Sequence, residues 1–142
     1  MLAVLVDDIP EVLDEGALYI SRRHSIALHL CCCGCKGEVV TPLSPAEWHV
    51  SMHKGTVSVT PSIGNWGLPC RSHYWIRRSH VVWSLPYSDQ QIEVVRANDR
   101  LAKELQIKRL NARKTAPRKP MSLSEFAARV WHRLLMWLHK DQ

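Results

Sequence analysis

A chain of 142 residues, 46% hydrophobic and with a formal charge of +6, is one domain with room for an appendage, and it holds no apolar run long enough to span a bilayer. Residues 1–20 carry five acids and no Lys or Arg, residues 21–87 seven bases and two acids, and residues 88–142 twelve bases and six acids. The first two segments cancel, so the excess equals that of the tail, which weakens any claim of the cysteine region itself to be a nucleic-acid reader.

The opening run Met1-Leu-Ala-Val-Leu-Val6 lacks the basic flank and long apolar centre of a signal peptide. Gly16-Ala-Leu-Tyr-Ile20 reads as a strand, Ser21–His24 as a polar turn, and Ser25–Leu30 as a second strand, with Ile26, Leu28 and Leu30 on one face and Ala27, His29, Cys31 and Cys33 on the other. That strand runs into Cys31-Cys-Cys-Gly-Cys35, which holds four of the five cysteines; the fifth is Cys70, three residues before His73. The odd count and the adjacent cysteines argue against a disulfide framework. Dense thiolates with a distant Cys-x-x-His partner have the pattern of a structural zinc site divided between two loops.

Geometry narrows the ligands. Residues two apart on a straight strand are separated by about 6.6 Å, whereas two thiolates on one tetrahedral zinc approach to about 3.8 Å. The chain must turn inside the cluster, and Gly34 is the residue free to do so. Cys31, Cys33 and Cys35 then converge, Cys70 completes a four-thiolate shell, and Cys32 faces away. Two alternatives stay open: Cys32-x-x-Cys35 as a zinc knuckle, and His73 as the fourth ligand. Reduced thiols and no leader place the expected protein in the cytoplasm.

Further along, Glu38–Thr41 is an expected strand, Ser44–Glu47 a short helical turn, and Trp48–Met52 with Thr56–Thr60 a hairpin about His53-Lys-Gly55. Thr60-Pro-Ser-Ile-Gly-Asn-Trp66 reads as a tight polar turn leaving a strand, and Tyr74–Arg77 and Val81–Ser84 as two more strands. Within that turn Ser62 is a candidate nucleophile, His73 its base, and Asn65 a residue to orient the imidazole, with main-chain N–H groups of Ile63 and Gly64 available to an oxyanion. Spacing by itself says only that a serine and a histidine flank one turn, and a Ser-x-Gly turn is far more often only a turn, its serine bonding its own backbone. After Pro86, Ser88-Asp-Gln-Gln91 is a capping box opening a helix from Ile92 to Leu110, Ala112–Pro120 a basic linker, and Ser122–Glu125 the cap of a second helix. The second helix carries Leu123, Phe126, Val130, Leu134 and Leu138 as an apolar stripe suited to self-packing or to pairing with a second copy. The expected class is α+β, a small zinc-stabilised β-rich domain over residues 1–100, followed by a basic linker and amphipathic helix over 101–142, with two helices in all.

The motifs His29-Leu-Cys31-x-Cys33-Gly-Cys35, Pro42-Leu-Ser-Pro45-x-x-Trp48, Pro61-Ser-Ile-Gly-Asn-Trp66, Cys70-Arg-Ser-His-Tyr-Trp-Ile76 and Val82-Trp83 follow one another at fitting intervals. Together they resemble a small bacterial zinc-binding domain family, and the resemblance spans roughly residues 9–100. Its relatives stand beside ubiquitin-like proteins and activating- and conjugating-like enzymes in defence-type gene clusters. The resemblance implies a cytoplasmic serine-type peptidase that processes or removes the modifier, cutting after a C-terminal glycine. Its implied parts are Ser62 as nucleophile, His73 as base, Asn65, Trp66 and Tyr74 against the substrate tail, and Cys31, Cys33, Cys35 and Cys70 on structural zinc. The implied partners are a ubiquitin-like protein and its conjugation machinery, with no membrane. Three other readings stay open: a non-catalytic zinc interaction module in which His73 is a ligand, a hydrolase with water on an open Cys/His zinc, and, least favoured, nucleic-acid binding through the basic linker.

Overall fold

The computed structural model describes residues 1–115 and, beyond them, Trp131. The chain divides into two compact units, Met1–Arg109 and Leu110–Gln142. In the first unit, strands β1 (Leu2–Val6), β2 (Ala17–Ser21), β3 (Ile26–Leu30) and β4 (Glu38–Pro42) form a sheet in that order, β1 parallel to β2 and the other pairs antiparallel. Strands β5 (His49–His53), β6 (Thr56–Gly64), β7 (His73–Arg77) and β8 (His80–Trp83) form a second, wholly antiparallel sheet. The core lies between them: Leu18, Ile20, Ala27, Cys31 and Val39 from the first sheet meet Val57, Val59, Ile63, Tyr74 and Ile76 from the second.

Local chemistry accounts for these elements. Lys54 and Gly55 take φ of 46° and 77°, and Arg78 and Ser79 take 45° and 66°. Positive φ at both central residues is the two-residue turn whose twist matches a hairpin. At the second turn no glycine relieves the backbone; instead Ser79 N–H donates to Val57 O at 2.7 Å and Ser79 Oγ accepts from Val57 N–H at 3.1 Å. Strand β2 is buried along its whole length because its inner face meets the core while its outer face is covered by the acidic segment before it. There Tyr19 Oη donates to Asp14 Oδ2 at 2.9 Å and Ser21 Oγ to Asp7 O at 2.6 Å. The parallel edge strand β1 is an addition to the sequence reading: its unbroken apolar run has no period of two to mark it.

The class is α+β, with two four-stranded sheets. The described residues contain one helix, α1 (Asp89–Thr115), in place of two. Its start follows the expected box, Gln91 Oε1 accepting from Ser88 N–H at 2.9 Å and Ser88 Oγ from Gln91 N–H at 3.3 Å. It continues past Leu110, so the first residues of the expected linker, Ala112–Thr115, are helical. They contain no proline, and Ala, Arg and Lys are good helix formers. The second expected helix, from Ser122 onward, lies outside the described residues. Ser44–Glu47 is a turn, not a helical one, closed by Glu47 N–H to Ser44 O at 3.1 Å. Among the described residues no helix is long and apolar enough to cross a membrane.

The consequential departure is at Thr60–Gly64, which is strand and not turn. Between the pairs Val59↔Ile76 and Ile63↔Tyr74, β6 advances four residues while β7 advances two. Pro61 cannot donate to the ladder, so the excess bulges out there. Ser62 sits on that bulge.

Candidate active site and metal centre

At the end of β3 the chain reverses within the cysteine run. Gly34 N–H donates to Cys31 O at 3.1 Å, Cys31 N–H donates to Gly37 O at 2.8 Å, and Gly34 takes φ of +85°. This carries Cys33 and Cys35 back beside Cys31. Cys70 arrives from the turn before β7, closed by Arg71 N–H to Leu68 O at 3.0 Å. The Sγ atoms are 3.3 Å apart for Cys31 and Cys33, 3.8 Å for Cys31 and Cys70, and 3.6 Å for Cys35 and Cys70, and all four lie within 4.8 Å of one another. These spacings bracket the roughly 3.8 Å of two thiolates on a tetrahedral ion. The four residues present therefore fit a metal ion. Cys32 is outside the cluster, half-buried, and burial pushes its thiol pKa up. His73 is outside it too.

The cluster is set up to ionise in steps. Burial alone would raise the Cys70 thiol, but the Ser72 main chain and hydroxyl and the neighbouring thiols hold it down at about 6. The main chain at Cys35 favours ionisation of Cys33, yet hydrogen bonds from the crowded thiols outweigh it and push Cys33 up to about 12. Proton loss from the remaining thiols is what a bound cation would drive.

The bulge in β6 turns Ser62 toward β7, where Ser62 Oγ and His73 Nε2 are 2.9 Å apart. Trp48 Nε1–H donates to Ser62 O at 3.2 Å and fixes the serine's main chain from the other side. The imidazole is 4% exposed and walled by Tyr87 at 4.5 Å and by Trp66 and Trp75 at 5.6 Å between ring centroids. Trp66 and Tyr87 stack at 6.0 Å. The seat of Trp66 requires Gly64, since a Cβ there would stand 2.4 Å from the indole ring. Ser62, His73, Trp48, Trp66 and Tyr87 face a cavity of about 270 Å³ whose far side is α1. Lys103 of α1 spans to the mostly buried Glu47 at 2.7 Å along its rim.

Burial lowers the His73 pKa, so the ring is neutral near neutral pH. The Leu85 main chain acts in the opposite sense, yet His73 Nδ1 is buried without a hydrogen-bond partner among the described residues. Among the described residues the site is thus a serine–histidine pair with no acidic third member bonded to the imidazole.

Other sequence-derived residues land elsewhere. Asn65 does not reach the imidazole; its Nδ2 donates to Ser72 Oγ at 2.8 Å and to Tyr74 Oη at 3.2 Å. Tyr74 is fully buried, bonded through Oη to His29 Nε2 at 2.8 Å, and has no surface to offer a substrate. Burial raises the Tyr74 pKa and lowers that of His29 to about 4, so this pair is neutral. Ile63 and Gly64 stand in the β6–β7 register opposite Tyr74 and His73 and not in an open turn. Trp48, Ser72 and Tyr87 went unassigned. The first two lie inside the quoted motifs, but no spacing rule links a tryptophan 14 positions upstream to the backbone of a serine.

Residues 5–84 match the family described as bacterial ubiquitination-like system serine protease (BubE). No match to this chain is found among curated proteins or among solved structures.

Proposed function

This chain belongs to the bacterial ubiquitination-like system serine protease (BubE) family, and from that premise we propose that it is a serine peptidase that cleaves a ubiquitin-like protein after its C-terminal glycine, from a precursor or a conjugate. The observation that carries the reading is the 2.9 Å approach of Ser62 Oγ to His73 Nε2 on the wall of a cavity.

In this mechanism His73 Nε2 takes the Ser62 proton as Oγ attacks the scissile carbonyl. The imidazolium returns that proton to the leaving amine as the C–N bond breaks, leaving an acyl-serine. Water, deprotonated by the same nitrogen, then attacks the ester and releases the carboxylate and Ser62. For Nε2 to accept, the ring must carry its proton on Nδ1, so the productive tautomer is the one that needs an acceptor at Nδ1. The lowered His73 pKa keeps the ring unprotonated and able to act as base. The aromatic walls Trp66 and Tyr87 keep water from the pair and leave a narrow approach, which suits a glycine-rich tail. A strand edge next to the cavity would hold that tail in extended form.

Zinc is the ion the four cysteines suit, since soft thiolates in a tetrahedral set favour it. Bound there, it would staple the β3 exit to the turn before β7. Cys31, Cys33, Cys35 and Cys70 would fill its shell, so that it supports the fold while substrate meets Ser62 and His73. The natural partners in this reading are the ubiquitin-like modifier and its conjugating enzymes, in the cytoplasm of a bacterium and in an antiviral defence setting.

The test is cleavage of a ubiquitin-like protein fused at its C-terminus to a reporter. Ser62→Ala and His73→Ala should each cut the rate by about 10²–10⁴-fold while keeping the parental metal content. A serine-directed phosphonate should label the parent and not Ser62→Ala. Loss of metal in His73→Ala would make His73 a ligand and return the chain to a zinc interaction module; full activity in Ser62→Ala would remove the serine mechanism.

A further inference from the structure

Between the cysteine cluster and the Ser62–His73 pair lies a set of buried polar side chains that the cleavage chemistry does not use. Asn65 is 8% exposed and Ser72 7%. Ser72 Oγ is 3.1 Å from Cys31 Sγ and 3.6 Å from Cys70 Sγ, and Asn65 Nδ2 is 3.6 Å from Cys31 Sγ. Asn65 Nδ2 also donates to Ser72 Oγ at 2.8 Å, which leaves the hydroxyl proton of Ser72 free to point at sulfur. We propose that Asn65 and Ser72 are positioning residues that join the metal centre to the catalytic pair: Ser72 donates its hydroxyl to the metal-bound thiolate of Cys31, Asn65 orients that hydroxyl, and together they hold β6 and β7 in the register that brings Ser62 to His73.

The placement of the donors follows burial. Cys33 and Cys35 are exposed, so water can solvate their thiolates, whereas Cys31 is 4% exposed and cannot be reached in that way. A buried thiolate needs hydrogen-bond donors from the protein, and outer-shell donors of this kind tune how tightly a metal is held. Only donors will serve once Cys31 is a thiolate, and the hydroxyl of Ser72, oriented by the amide of Asn65, is the donor beside it.

The second half of the inference is in the backbone. Asn65 N–H donates to Ser72 O at 2.8 Å, which extends the register beyond the pair Gly64↔His73 by one residue. Ser62 lies two residues before Gly64, and His73 directly follows Ser72. Ser72, bonded to sulfur, and Asn65, bonded to Ser72, thus anchor the open end of the ladder on which both catalytic candidates stand. Tyr74 Oη completes the network, receiving from Asn65 and bonding His29 across the core. This half rests on the Ser62–His73 reading; the first rests only on the metal site.

The experiment is zinc release from purified full-length protein to a colorimetric chelator, in the parent and in Ser72→Ala, Asn65→Ala and Ser72→Thr. Release should be about 10–100-fold faster in the two alanine variants and close to parental in Ser72→Thr, which keeps the hydroxyl. With cobalt in place of zinc, the thiolate-to-metal charge-transfer band should shift in Ser72→Ala and not in Ser72→Thr, a signature of the lost O–H to sulfur bond that general loosening would not produce. If Ser72→Ala fails to fold, Asn65→Asp keeps the shape but removes two donors, and it should speed release as well. Folded variants that release zinc at the parental rate overturn the proposal, whatever their activity. A parent that holds no metal overturns it together with the metal assignment. Faster release with an undisturbed His73 imidazole NMR signal and parental cleavage overturns the link to the catalytic pair.

Discussion

In the proposed mechanism His73 must be two things at once: buried, and a base. Burial disfavours the imidazolium and so lowers the pKa, which keeps the ring neutral further into acid than an exposed histidine. The protonated ring cannot accept from Ser62, so the proposed activity should fall as pH drops through the folded-state pKa. The acid limb of kcat/KM for fusion cleavage should therefore have its midpoint below the ordinary histidine value of about 6.5. A midpoint at or above that value would mean that an acidic partner stabilises the imidazolium in solution. The same residue shows how much of a site depends on its neighbours: Trp48 holds the Ser62 carbonyl, and Tyr87 and Trp66 box the ring, yet none of the three carries reactive chemistry itself.

At the level of elements, the bulge in β6 decides whether a serine is a turn residue or a nucleophile candidate. A regular strand would keep Ser62 in step with β7; the two extra residues between Val59 and Ile63 re-aim it. Gly64 follows in the same strand, and its missing side chain is the space in which the Trp66 ring lies. Gly64→Ala should displace that ring, lower stability by about 1–3 kcal/mol in denaturant titration, and slow cleavage by loosening the aromatic wall. Unchanged stability with Trp66 fluorescence intact would show that the ring can shift without loss. The cysteine loops make a parallel case. Protein purified without added metal should contain one zinc per chain by elemental analysis, and Cys70→Ser should lose it while Cys32→Ser keeps it, because Cys32 stands outside the cluster. Equal loss in both variants would bring Cys32 back as a ligand.

For the whole molecule, the match to the family ends at residue 84, and everything placed around Ser62, His73 and the four cysteines falls before Arg109, within the first compact unit. Deleting residues 116–142 should therefore leave zinc content and fusion cleavage within about twofold of the parent, a margin equivalent to about 0.4 kcal/mol. Zinc loss in the shortened chain would make the tail part of the core. Before that point α1 is a different matter, since it closes one side of the cavity and Lys103 reaches Glu47 at its rim. The helix lies outside the family match and still belongs to the site.

How much was legible beforehand depended on the range of the interaction. That Cys31, Cys33, Cys35 and Cys70 would lie together could be read from sequence, with Cys32 and His73 left open as other ligands, because thiolates sharing one ion impose distances that a turn at Gly34 can meet. The capping box of α1 and the hairpin at Lys54-Gly55 were legible for the same reason: their hydrogen bonds close within a few residues. Ser62 and His73 could be named only as candidates, since a hydroxyl and an imidazole 11 positions apart meet or miss according to strand register. Asn65 and Tyr74 were misplaced because polarity and aromaticity suggest a surface, while the packing of the two sheets buried both and turned them toward Ser72, His29 and the cysteines. Local chemistry, written in residues a few positions apart, was determined by the sequence alone; which distant side chains share one bulge, one cavity wall or one buried network was decided by the tertiary structure, because register and sheet packing depend on the whole chain at once.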